Sequence, residues 1–596
     1  MKASGKLDKM VSEQAVAGEA PDRTTETSAG VPDPGADSTG PKPAAAESGN
    51  HGSAGVESGM PDTEVSATMW RARWRFLPLV VIGIAAFVYL FRLASPDGLV
   101  FDEVYYARDA RSVRLGATAL TVEEYNTVSA CDRDQYPEGI CSWVHPPLGR
   151  MLISLGERIG PESCPDPTAH DGGVDCSAFQ WRIASAVAGI VVVALVLLLG
   201  FVLFRSWVWA SLAGALYAFD GLIVTSARIA MLDIFLVGFV VAGFLLLVLA
   251  RRSAARAVDD PKTAETGTAE TGTGPIAFGS GAAFWLLVAS GACFGGAIAV
   301  KWAGGLALGA AWLLAVAWTA RAYRTERCAR AESATAGPSP IWPTIAAYAV
   351  ALIAVPALAY YATWIPYLTA HGWSVTELVA LHAKIADYHL GLEADHPYKS
   401  PAWQWPLLLR PTAYFYEQTD STIHVLNIGN PVFWWTSIVA LAATLWAALR
   451  RIRRLGAAVL CAGLVSVGLL VFFGAGLVVV GSVAAVFAAA LAAIWLRDVE
   501  TVPQIIVIGY GALFLPWLLV PRPQFLFYLA PAVPLMAIAW AWFARRLWGF
   551  NRAAKTIVIV CLALMLIAFA ALYSVWTAVP IPASLWHMLM VFQSWI

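Results

Sequence analysis

Residues 182–205 read RIASAVAGIVVVALVLLLGFVLFR. No charge falls between Arg182 and Arg205, and the stretch is long enough as a helix to cross about 30 Å of hydrocarbon, which takes about 20 residues. Runs of this kind recur along the chain and set its class. Of its 596 residues, 58% are hydrophobic and only 14% charged, with a mean hydropathy of +0.62; soluble domains are nearer half apolar and a quarter charged. A purely cytosolic enzyme is excluded. The 26 Trp, 26 Phe and 18 Tyr beside 40 basic and 41 acidic residues suit a multi-span membrane protein and give no basic surplus for a nucleic acid.

Counting outward from that stretch, we expect an all-α integral membrane protein with about thirteen spans. They run from Phe76 to about Ala94, from Arg182 to Phe204, as a tight pair within Val208 to Ala250, and as two more on either side of Lys301 between Ile276 and Ala320. Trp342 to Tyr361 and Val432 to Leu449 follow, then Gln504 to Val520, Phe525 to Phe543 and Thr556 to Trp576. The uncharged run from Leu455 to Leu496 would measure about 63 Å as one helix, so it is read as two spans folded back on each other. Every second loop is basic: Arg71, Arg73 and Arg75; Arg251, Arg252 and Arg256; Arg321, Arg324, Arg327 and Arg330; Arg450, Arg451, Arg453 and Arg454; then Arg545, Arg546, Arg552 and Lys555. Basic loops stay in the cytoplasm, so the N-terminus is expected inside, the C-terminus outside, and two long loops, 95–180 and 366–430, on the extracytoplasmic side.

The expected organisation is a disordered cytoplasmic tail (1–69), poor in apolar residues, and an N-terminal catalytic transmembrane module (70–365) that includes loop 95–180. A cytoplasmic low-complexity linker (251–279) carries the repeat TAETGTAETGTG; the second loop (366–430) and a C-terminal transmembrane module (431–596) complete the chain. The first apolar stretch starts too late for a cleavable signal peptide and is read as an uncleaved anchor. Cys131, Cys141, Cys164 and Cys176 all fall in the first extracytoplasmic loop. An even set in an oxidising compartment suggests two disulfides, with neighbours paired as one of three possible connectivities.

Residues able to do chemistry gather at the expected outer rim. LVFDEVYYARDARSVRLG (99–116) sets Asp102 and Glu103 side by side; adjacent side chains in extended chain point opposite ways, so one can face a reaction centre while the other is tied to a basic group. SWVHPPLGRMLISLG (142–156) holds His145 at the entrance of a helix lying along the membrane, with Arg150 in reach of lipid headgroups. FDGLIVTSARIAMLDIFL (219–236) places Asp220, Arg228 and Asp233 at helix ends, where ionisable groups are costly unless paired or used. Arg228 could form an ion pair with Asp233 or grip phosphate oxygens with its planar fork. Lys301 in VKWAGG and Arg522 in LVPRPQFLFYLAPAVP supply further cations. The second loop, HPYKSPAWQWPLLLRPTAYFYEQ and NIGNPVFWW, is dense in aromatic residues that suit sugars, prenyl chains or peptides as well as interfacial anchoring.

In this order FDEVYYA, HPPLGR, SARIAMLD, KWAGG, HPYKSPAWQWPLL, RPTAYFY, GNPVFWW and PRPQFLFYLAPAVP resemble the protein O-mannosyltransferases, membrane glycosyltransferases of the C type, over residues 76–576. The chain is similar to the bacterial, actinobacterial-type branch, without the large inserted domain that fungal and animal relatives carry in the second loop. It departs in two respects: the run 455–496 adds two spans, and Arg150 stands where many relatives have lysine. The resemblance implies inverting transfer of mannose from a polyprenyl phosphate carrier to Ser or Thr hydroxyls of secreted proteins. It implies Asp102 as the base and Glu103 as the group that orients Arg228 or neighbouring backbone. Arg228, with Lys301 or Arg522 and beside Asp233, would hold the lipid phosphate, and His145 and Tyr105 would border the acceptor. Expected partners are the lipid-linked donor, a secreted polypeptide, the bilayer of the cell membrane and, as a candidate, the protein-export machinery. No metal, cofactor or nucleic acid is expected. Two other readings stay open: transfer from the same donor to a lipid or cell-wall glycan, and transport or flipping of a lipid-linked sugar, which would want mid-membrane polar residues and inverted repeats.

Overall fold

The computed structural model describes residues 74–114, 116–118, 143–159, 177–259, 281–333, 341–393, 395–449 and 500–596. The expected tail, the four loop cysteines, most of the low-complexity linker and the hairpin 455–496 lie outside the described residues.

Helix α1 (Leu77–Leu90) leads to two short helices, α2 (Glu103–Arg114) and α3 (Leu148–Glu157), which pack on each other beside one end of the bundle. The decisive apolar run forms α4 (Phe179–Phe204). Next come α5 (Trp207–Ala218) and α6 (Gly221–Arg228), one apolar segment bent by 65°. The bend corrects the expected pair of plain spans, and its cause lies in Phe219-Asp220-Gly221: Asp220 is extended, and its buried carboxylate accepts hydrogen bonds from the backbone N–H of Asn430 and from Trp434 Nε1, both at 2.8 Å. Asp220 thus fastens the bend to the C-terminal half of the chain.

The spans α7 (Asp233–Asp259), α8 (Ala282–Val300) and α9 (Gly304–Ser333) follow. A further span runs through α10 (Trp342–Ala349), one wide turn (Val350–Ala354) and α11 (Val355–Ala362). Gly291 and Gly295 let α8 approach this span so closely that a Cβ at either position would strike the carbonyl of Ala351 or Pro356, the usual reason for small residues between membrane helices. The C-terminal part contributes α14 (Pro431–Leu449), α15 (Thr501–Phe514), α16 (Val533–Trp548) and α17 (Arg552–Thr577), where the apolar segment of α16 begins at Leu526 and is almost wholly buried. Among the described residues nine helices are long and apolar enough to cross a membrane, or ten with the bent segment as one span; α1 is apolar but shorter.

The second long loop is more than helix. After α12 (Ile365–Ala370) and α13 (Val375–Gly391) come two antiparallel strands, β1 (Thr412–Gln418) and β2 (Thr422–Asn427), with an irregularity between Ala413 and Phe415. The all-α expectation is corrected here: TAYFYEQ and TIHVLN are rich in β-branched and aromatic residues, which favour strand pairing. The chain ends past α18 (Ala583–Leu589), where Trp595 donates to the Leu408 carbonyl at 2.7 Å and Arg410 donates to the carbonyls of Pro397, Ser594 and Ile596. Both contacts fix the loop that leads into β1.

Candidate active site

Asp102 and Glu103 sit where α2 begins. The Asp102 carbonyl accepts the N–H of Tyr106 at 3.0 Å, so Asp102 is the residue before the helix and Glu103 the first within it. Their side chains diverge, as adjacency requires.

Glu103 is wholly buried and its carboxylate is filled. Arg182 of α4 reaches it with Nε and an Nη, each 2.8 Å from one oxygen, and the N–H groups of Ala230 and Val100 donate at 2.8 and 2.9 Å. The other donors of Arg182 hold the carbonyls of Leu93, Pro96 and Gly98. Glu103 does bind backbone, as expected, but its basic partner is Arg182 and not Arg228. With both oxygens occupied it positions the loop and has no capacity left to take a proton from substrate.

Asp102 is partly exposed and hydrogen-bonded to Tyr106. Desolvation by the surrounding protein, opposed by Lys301 and reinforced by Asp233, pushes its carboxyl up to about 6. A carboxylate poised so near neutral pH suits general-base work. The preceding residue, Phe101, has a left-handed backbone (φ 51°), an uncommon conformation for a bulky residue, and its ring stacks on Tyr414 at 4.6 Å.

The cations divide into three kinds. Lys301, just after α8, donates to Asp233 Oδ2 at the start of α7 at 2.8 Å, and both are nearly buried. Arg522 lies 5.6 Å from the centre of the Tyr528 ring, has no hydrogen bond or ion pair among the described residues, and lines an open cavity of about 560 Å³ between residues 392–401 and 520–524. Arg228 faces elsewhere: it donates to the carbonyls of Val88, Tyr89, Phe91 and Arg92 at 2.7–3.1 Å. These carbonyls lie at the open end of α1, where helices leave acceptors unmatched. Arg228 therefore pairs neither with Asp233 nor with Glu103, and its guanidinium is occupied by backbone carbonyls. Arg228→Ala is expected to reduce the fraction of protein that survives heating in detergent, because four carbonyls lose the guanidinium, of which that of Arg92 keeps the Ser95 N–H, while the survivors keep the wild-type KM for donor. A raised KM at unchanged stability would contradict this assignment.

Arg150, expected at the lipid headgroups, is instead 1% exposed; it pairs with Asp109 at 3.2 Å and donates to the His145 carbonyl at 2.8 Å, tying α2 to the HPP segment. His145 lies beside Tyr106 and His389, its ring centre 5.5 Å from that of His389. Desolvation and the nearby Lys301 hold it well below the usual histidine range, so it is neutral. Tyr105 is largely exposed, and it is Tyr106, one turn on from Asp102, that meets the carboxylate.

Sequence reasoning missed Arg182, Tyr106, Asp109, His389 and Tyr414. Tyr106 follows Asp102 by four residues, a helical neighbour. His389 follows His382 by seven, two turns along α13, and it donates from Nε2 to the Val144 carbonyl at 2.8 Å. Arg182, by contrast, looked like an ordinary flank of a span.

Helices of this length and apolar composition, with Asp102 and Glu103 where α2 begins, make a multi-span membrane fold. The solved yeast protein O-mannosyltransferase Pmt1-Pmt2 complex bound to the sugar donor shares the fold, with a TM-score of 0.60 at 14% identity over 88% of this chain and 92% of that one. The chain belongs to the protein O-mannosyltransferase family: residues 110–374 match the model described as dolichyl-phosphate-mannose-protein mannosyltransferase, and residues 374–595 the C-terminal four TMM region of protein-O-mannosyltransferase. Four spans are described within the second match; the expected additional pair, 455–496, lies outside the described residues. Similar curated proteins include the polyprenol-phosphate-mannose–protein mannosyltransferases of Mycobacterium tuberculosis, 27% identical over 86% of this chain and 89% of the relative, and of Mycolicibacterium smegmatis, 26% identical over 88% and 93%.

Proposed function

We propose that the chain transfers mannose from polyprenyl phosphate mannose to Ser or Thr hydroxyls of secreted proteins, with inversion, at the extracytoplasmic face of the cell membrane. Asp102 removes the hydroxyl proton as the acceptor oxygen bonds to the anomeric carbon. The bond from that carbon to the phosphate oxygen breaks, and its electron pair leaves with polyprenyl phosphate. The reading is carried by the contrast between the two carboxylates: Glu103 has both oxygens occupied by protein donors, whereas Asp102 is partly exposed and within the field of Lys301. Arg522, without an ion pair among the described residues, and Lys301, anchored by Asp233, are the cations we assign to the leaving phosphate. Charge that develops there is stabilised by donors already fixed in place. Neutral His145 and Tyr106 border the acceptor. The basic loops support a cytoplasmic N-terminus and an extracytoplasmic site and C-terminus, where the export machinery would present its substrates. The reaction as drawn uses no metal or other cofactor.

The test is transfer of labelled mannose from polyprenyl phosphate mannose to a Ser/Thr peptide by the purified chain, with the anomeric configuration of the product determined. Transfer to glycan but not to peptide would replace the acceptor. Movement of the donor across vesicles without transfer would replace the reaction.

Because Asp102 must be ionised to act, kcat/KM is expected to rise through about pH 6 and level off above it. Lys301 lowers the Asp102 pKa and Asp233 raises it, so Lys301→Met should move this limb to higher pH, since it removes the cation and leaves the second carboxylate unbalanced. A limb that stays in place would detach Lys301 from Asp102.

A further inference from the structure

Tyr414 lies on β1 and is 6% exposed, yet its hydroxyl has no hydrogen-bond partner. Buried hydroxyls are ordinarily paired, and each exception calls for a reason. Its ring has ample reason to be there: it stacks on Phe101 at 4.6 Å, directly before Asp102, and meets Phe527 edge-on at 6.0 Å, over whose ring Lys301 Nζ sits at 5.5 Å. Phenylalanine would make both contacts equally well and leave no polar atom unmatched. The oxygen is therefore what needs an explanation, and its surroundings supply one. Tyr414 interacts electrostatically with Asp233, Asp102 and Tyr528, the groups around the proposed transfer point, and burial beside those carboxylates keeps the phenol protonated and able to donate.

We propose that the Tyr414 hydroxyl binds the donor substrate, giving its hydrogen bond to an oxygen of the mannosyl phosphate group. This rests on the transfer reaction proposed above. The acceptor oxygen belongs either to the phosphoryl group or to the sugar, which present the same chemistry to a phenol. Asp102 and Asp233 are nearby acceptors that Tyr414 does not bond, so the bond forms when the donor enters the site. Tyr414 would then be a substrate-binding residue on the hairpin, in a loop that the C-terminal residues hold through Arg410 and Trp595.

The experiment uses the full chain in lipid nanodiscs, wild type and Tyr414→Phe, and measures binding of polyprenyl phosphate mannose and of mannose-free polyprenyl phosphate, together with heat survival. Tyr414→Phe keeps the ring contacts and removes only the hydroxyl. Donor affinity is expected to fall roughly tenfold, the scale of one hydrogen bond to a polar or charged oxygen, with heat survival unchanged. An equal loss for both lipids assigns the bond to the phosphoryl group; a loss for the mannosylated lipid alone assigns it to the sugar. Wild-type affinity for both lipids overturns the proposal, as does a drop in heat survival that accounts for the lost binding, which would make the hydroxyl structural. If the wild-type chain binds neither lipid, the transfer reading itself fails, independently of Tyr414.

Discussion

Asp102→Asn is expected to cut mannose transfer by about 10²–10⁴-fold, the usual contribution of a positioned general base, with little effect on folding or on donor binding. The substitution is nearly isosteric and can keep a hydrogen bond with Tyr106, but an amide cannot accept the acceptor's proton. Asp102 has no ion pair among the described residues, so the change breaks none. The loss should appear in kcat rather than in donor KM, and the acid limb near pH 6 should vanish from whatever activity is left. Labelled transfer to a peptide, with donor binding measured in parallel, decides the matter. Transfer within tenfold of wild type would show that another group takes the proton and would undo the assignment.

Loss of Arg182 should be the gravest change to the fold. Arg182 and Glu103 are each 0% exposed in side chain and are joined through two hydrogen bonds of 2.8 Å. Removing one partner from a buried pair strands the other charge and costs about 3–5 kcal/mol, and here three loop carbonyls lose their donor as well. Arg182→Met is therefore expected to yield little folded protein in detergent, by size-exclusion profile and heat survival, with activity lost in proportion. Glu103→Gln retains an acceptor and should be milder. In the double variant the two losses should fall short of their sum, the signature of direct coupling. Additive losses, or a stable but inactive Arg182→Met, would mean that the pair is not what fixes the loop before α2.

Much of this architecture is legible in the sequence because the governing force is coarse. Uncharged runs of membrane length announce themselves one by one, and α4, α7, α8, α9, α14 and α17 all form where the apolar stretches stand. The bend at Asp220 is harder to read, since a single buried carboxylate bonded to Asn430 and Trp434 depends on residues some 210 positions away. The site follows the same division. The Asp102-Glu103 step allows the two carboxylates different surroundings, because adjacent side chains diverge, and it is Glu103 that the basic group holds. Which cation holds it is a long-range choice: Arg182, Arg228 and Lys301 are all cations beside apolar runs, and only packing sends the first to Glu103, the second to the end of α1 and the third to Asp233. The β1–β2 hairpin is hidden in the sequence for a related reason, as its aromatic residues fit a membrane interface as readily as a strand.

The grip of Arg228 on α1 also has a bearing on biogenesis. The carbonyls it receives belong to residues synthesised 136–140 positions earlier, an interval of about 7–28 s at common ribosomal speeds. Throughout that interval the nascent α1 has the acceptors without their guanidinium, and water, lipid headgroups or the insertion machinery must solvate them. The end of α1 is thus completed only when α6 arrives, so these parts of the bundle mature as a set and not one crossing at a time.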